Sequence, residues 1–141
     1  MKVDILPRSH QTTKRQFERW IVEALDALPP HLRAKLSNVG FVLEEGSPRG
    51  RLLGLYHGIP LPARTHYSGV LPDKITIYRR PIERQAGSPE AVPALVRHVV
   101  WHEVGHHFGF SDRALVPLER RWNRSANQQR RDNVAKRDVK S

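Results

Sequence analysis

Two histidines four residues apart, His102 and His106, with Glu103 beside the first, constrain this chain more than any other feature of its sequence. Residues 102–112 read H-E-V-G-H-H-F-G-F-S-D, which fits the pattern H-E-x-x-H-x-x-G-x-x-D. On an α-helix four residues advance a side chain by about 400°, so the two imidazoles stand roughly 40° and one turn apart. They can face one ion. Glu103 lies about 100° round the helix, close enough to hold a water on that ion without binding it, and is the expected proton acceptor. A catalytic zinc site takes three protein ligands and leaves a position for water. Gly109 tolerates the left-handed backbone that ends helices, so the chain can turn back and present Asp112 as the third ligand. The spacing therefore predicts one zinc per chain on His102, His106 and Asp112. Eight His and eight Glu in 141 residues yield H-E-x-x-H by chance about 0.03 times per shuffle, so an incidental match is the weaker reading.

The motif needs a helix, and the residues around it predict one independently. From 94 to 108 the helical wheel is apolar on both flanks, with Leu95 and Val99 beneath the histidine face and Val100, Trp101, Val104 and Phe108 around the rest. Such a helix is buried nearly all round. Polar His and Glu on it would be costly without a ligand or partner, which places the metal at the floor of a cleft against a sheet. Ser88-Pro89-Glu90 reads as a helix start, with Pro93 marking a start or bend.

Upstream, Thr13 and Gln16 form a capping-box pattern ahead of Phe17, Ile21, Val22, Leu25 and Leu28, an amphipathic scaffold helix stopped by Pro29-Pro30. A further short turn is expected over 31–36. Val39, Phe41 and Leu43 alternate as in a half-buried strand, 51–57 is apolar enough for a second, and Ile75 and Ile77 mark a third over 73–79. The segment 58–72, with three prolines and no periodicity, reads as a loop, and 81–87 is ambiguous. Short strands with flanking helices give the α+β class, a small mixed or antiparallel sheet packed on the N-terminal helix and the buried motif helix.

The chain suits one domain. Its 38% hydrophobic content is lean, so the ordered domain is expected over 12–117, with a flexible N-terminus at 1–11 and a basic disordered tail at 118–141. That tail carries eight Lys or Arg against three acidic residues, half of the formal +10. Nucleic acid could bind it, but with no aromatic besides Trp122 and no recognisable motif, a solvated tail is favoured. With no cysteine, disulfides and thiolate sites are excluded. The first residues lack an apolar signal core and no stretch reaches the ~20 apolar residues of a membrane span, so a cytoplasmic location is the default.

A resemblance sharpens this. From G-L-Y-H-G at 54–58 through L-P-D-K-I at 71–75 to the H-E-x-x-H helix, the sequence resembles small bacterial, often actinobacterial, zincin-like metallopeptidases. The metal motif is similar to the metzincin-type signature, with Asp112 where most members carry a third histidine. The likeness spans 17–115 and implies a minimal zincin fold, with zinc on His102, His106 and Asp112, Glu103 as general base, and a peptide or protein substrate. The methionine-bearing turn of larger metzincins is missing, since the only methionine is Met1.

Zinc-activated hydrolysis of peptide bonds is thus the leading function. A zinc-dependent ribonuclease is the rival that the basic charge suits, and a non-catalytic zincin-like binding module the other. Tyr56 and His57, on the second strand, are candidate substrate-binding residues, pairing with an extended peptide by strand addition. His98, one turn before His102, is a candidate partner of that ligand. A tyrosine stabilising an oxyanion would be Tyr56, Tyr67 or Tyr78. His107, about 100° from His106, cannot share its ion.

Overall fold

The computed structural model describes residues 12–61 and 73–140. Helix α1 (Lys14–Asp26) begins at the anticipated capping box: Thr13 Oγ1 accepts from the Gln16 N–H, and the Gln16 side chain accepts from the Thr13 N–H. Phe17, Ile21 and Ala24 on α1, followed by Leu28, are buried, each large side chain contributing about 1.5–3 kcal/mol by leaving water. A short helix α2 (Pro30–Arg33) and a 3₁₀ turn (Ala34–Leu36) lead into the sheet.

Strands β1 (Val39–Glu44), β2 (Gly54–His57) and β3 (Asp73–Tyr78) lie in the order β1-β3-β2. β3 pairs parallel with β1, Val39 opposite Asp73, and antiparallel with β2, Gly54 opposite Ile77, so the sheet is mixed. The central position explains why β3 is buried along all its length except Lys74, with Ile75 and Ile77 at its heart. The ambiguous stretch after it is helix α3 (Arg79–Ala86), ended by Gly87. Arg79 grips Glu45 at 2.7 and 2.9 Å and pairs with Glu83, and Arg80 lies 3.8 Å from Glu45.

After a 3₁₀ turn (Pro89–Ala91), helix α4 (Val92–His107) runs through the core. Pro93 sits in its first turn, where the missing N–H costs nothing. Val92, Val96, Val99, Val100, Trp101 and Val104 are buried, so the helix is covered nearly all round as its composition implied. The expected loop at 58–72 lies largely outside the described residues, and the expected flexible segment at 1–11 wholly so. No helix among the described residues is long and apolar enough to cross a membrane.

The sequence reading of a disordered tail from residue 118 needs correction. One helix, α5, runs from Asp112 to Lys140, through Pro117. Leu115, Leu118, Trp122 and Ala126 recur at helical spacing and pack on the core, Trp122 edge-on against Trp101 with ring centroids 5.7 Å apart. This apolar stripe is sparse among many charges, which is why composition alone reads as tail.

Candidate metal centre

Three consecutive local structures bring the motif residues together. α4 carries His102, Glu103 and His106 within its last two turns. It then closes by a left-handed turn: Gly109 has φ 87°, its N–H bonds the His106 carbonyl, and the Phe110 N–H bonds the Gly105 carbonyl at 2.9 Å. Ser111 caps the next helix, its hydroxyl accepting from the Ala114 N–H at 3.2 Å, and Asp112 falls in the first turn of α5, where a carboxylate suits the helix dipole. The chain reverses in four residues, and Asp112 returns to the histidine face.

The donor atoms form a nearly equilateral triangle. His102 Nε2 and His106 Nε2 are 3.2 Å apart, and Asp112 Oδ1 is 3.3 Å from each. Ligands at 2.0–2.1 Å on a tetrahedral zinc are separated by about 3.3 Å, so these three donors fit three corners of such a polyhedron. Two nitrogens and a carboxylate oxygen also suit zinc chemically. His102 and His106 border a cleft of about 540 Å³ that is also lined by Glu103, Tyr56, Gly58 and the apolar Leu52, Leu55, Pro60 and Phe110.

Glu103 lies beside the triangle and is 8% exposed. Burial pushes its carboxyl above the usual carboxylate range, opposed by His102, His106 and a backbone hydrogen bond from Tyr56. A buried carboxyl beside the triangle is thereby tied to the neighbouring strand.

On the other side of His102 stands Glu119 of α5. Its Oε1 is 4.0 Å from His102 Nδ1, and its Oε2 accepts from His98 Nδ1 at 2.6 Å, which raises the His98 pKa. His98, His102 and Glu119 are a second set of donors within 4.8 Å of one another. The candidate neighbour His98 thus meets His102 chiefly through Glu119, a residue the expected tail had hidden.

Of the strand candidates, Tyr56 lines the cleft and His57 does not; β2 alternates, with Gly54 and Tyr56 turned inward and Leu55 and His57 exposed. The Tyr56 hydroxyl donates to Asp73 Oδ2 at 2.6 Å, and the same oxygen accepts from His107 Nδ1 at 2.7 Å. This Tyr56–Asp73–His107 cluster, with His107 and Asp73 2% and 4% exposed, ties the cleft-bordering strand to the last residue of α4. His107 Nε2 is buried without a hydrogen-bond partner, so a hydrogen on Nδ1 is the arrangement that strands no N–H. His107 is no metal ligand, but its place on the buried flank of α4 is a signal in the sequence that it demands a polar partner. Of the other tyrosines, Tyr78 is a core residue at the end of β3 and Tyr67 lies outside the described residues.

No curated protein matches the chain. The family model of zincin-like metallopeptidases matches residues 38–122, from the first strand through the metal triangle to Trp122. With more than half its length in that match, the chain belongs to the zincin-like metallopeptidase family.

Proposed function

We propose that this protein is a zinc-dependent peptidase in which His102, His106 and Asp112 hold the metal and Glu103 is the general base. The observation that carries this reading is the donor triangle, with sides of 3.2–3.3 Å, next to a buried carboxylate. Zinc held there supplies Lewis acidity, acidifying water and polarising a carbonyl. Glu103 takes a proton from the water as its oxygen bonds to the peptide carbon. It then gives that proton to the departing nitrogen as the C–N bond breaks, so both halves of the hydrolysis use one carboxyl. The raised proton affinity of Glu103 suits a group that must both accept and return a proton. The Tyr56 backbone holds it in place, and the Tyr56–Asp73–His107 cluster holds Tyr56. Leu52, Leu55, Pro60 and Phe110 offer apolar walls to a side chain of the peptide.

The test is Glu103→Gln against a peptide library, with zinc content measured on the same samples. The variant is expected to keep one zinc per chain and lose activity by about 10²–10⁴-fold. A His106→Ala, Asp112→Ala double variant is expected to lose the zinc. Full activity in Glu103→Gln would refute the general-base assignment.

A further inference from the structure

A groove of about 810 Å³ runs between the C-terminal end of α1, the start of α4 and the second half of α5, and it shares no lining residue with the metal cleft. Its size is that of a ligand site. Its charge is lopsided. Arg33, Arg97, Arg130 and Arg137 line it, against the carboxylates Glu23 and Asp26. Arg33 spends itself on Asp26, donating to its carbonyl at 2.9 Å with the carboxylate 4.0 Å away. No carboxylate among the described residues pairs with Arg97, Arg130 or Arg137. Arg97 is half-buried and lies over the Trp101 ring at 5.6 Å, and Arg130 is close enough to repel it. Two like charges facing one partly desolvated groove are stable together only at a cost, which an anion between them removes.

The rest of the lining narrows the kind of anion. Guanidinium groups match phosphate in a two-pronged fashion, and Trp20, Pro29 and Val134 add aromatic and apolar surface that a bare phosphate would leave uncovered. On α5 the lining recurs from Ser125 to Arg137, a run of about 18 Å at 1.5 Å per residue, so the site is long as well as charged. Arg121, Arg124, Arg131 and Lys136, exposed elsewhere on the same helix, extend the positive potential. Alternating phosphates and flat apolar rings on an extended chain are the chemistry of an unpaired nucleic-acid strand. We propose that this groove binds single-stranded nucleic acid, with phosphates on Arg97 and Arg130 and a base against Trp20.

The experiment is fluorescence anisotropy of the full chain with a labelled single strand of about 16 nucleotides, at 50 and 200 mM salt. With three phosphate contacts, on Arg97, Arg130 and Arg137, at a slope near 0.7 each, affinity is expected to fall by about 18-fold between the two salts. An Arg97→Gln, Arg130→Gln double variant retains one contact, on Arg137. It is expected to bind at least about tenfold more weakly at 50 mM and to show a salt effect of only about threefold. An Arg49→Gln, Arg51→Gln variant removes the same charge from the β1–β2 connection, outside the groove, and is expected to change affinity by less than about threefold. Circular dichroism and zinc content check the fold, and Arg130→Gln alone, on an exposed position of α5, carries the test if Arg97 proves necessary for folding. Equal losses in the two double variants, no binding at 50 mM, or equal competition by an oligo-glutamate peptide would each overturn the proposal.

Discussion

Glu103 occupies a position where stability and chemistry pull in opposite directions. Its carboxyl is raised by burial, so the folded metal-free chain holds the proton more tightly than the unfolded chain does. The sign follows: ionising Glu103 costs stability, and the cost appears as pH rises above the ordinary carboxylate range near 4.3. Glu103→Gln removes the charge and keeps the shape. Metal-free Glu103→Gln is therefore expected to melt above metal-free parent at pH 7.5, the gap closing towards pH 4. Thermal melts of chelator-treated protein at both pH values check this, and an identical gap at both would show that burial is not its origin. At this scale the sequence was informative where the side chains act locally. His102, Glu103, His106 and Asp112 are set by helical period and one turn, all within eleven residues. Asp73 and His107 were not legible, because 34 residues separate them and only the β3–α4 packing makes them neighbours.

Between elements, the decisive contact is that of α4 with the start of α5. Gly105, an unspecified position in the motif, lies where Leu115 packs; a Cβ there would overlap the Leu115 side chain. Leu115 is 1% exposed and three residues beyond Asp112, so whatever displaces it moves the third corner of the triangle. Gly105→Ala is expected to weaken zinc affinity by about tenfold or more, readable by competition with a chromogenic chelator, although it removes no ligand and favours the helix. Unchanged affinity would mean that Leu115 repacks freely. The His98–Glu119 pair joins the same two helices. Because the His98 pKa is raised, its contribution is full below the ordinary histidine value near 6.5 and fades as pH climbs through the raised one. Helices α1 and α4 and the three strands were readable from periodicity and caps, whereas α3 was ambiguous and most of α5 was expected as a tail. Their order in the sheet was not, since β1-β3-β2 is decided by which strand can be buried on both edges.

For the molecule as a whole, α5 is a continuous part of the fold and not an appendage to it. Trp122, 2% exposed, closes the core over Trp101, whose indole N–H donates to the Ala24 carbonyl at 2.8 Å. Trp122→Ala is expected to cost about 3–5 kcal/mol in urea unfolding, a loss too large for a residue on a disordered tail. A change under about 0.5 kcal/mol would show that the helix does not pack there in solution. Average composition concealed this element because its outward face is mostly charged or amide-bearing. The donor triangle is divided between α4 and α5. An ion bound by both helices binds the docked arrangement and not the parted one, so it stabilises that arrangement by RT ln(1 + [Zn]/Kd), about 2.7 kcal/mol at a hundredfold excess over Kd. When zinc is scarce that contribution would be lost, leaving Leu115 and Trp122 to hold α5 on the core, and the turn at Gly109 would open to proteases more readily. The lifetime of this protein would then track the zinc supply of its surroundings.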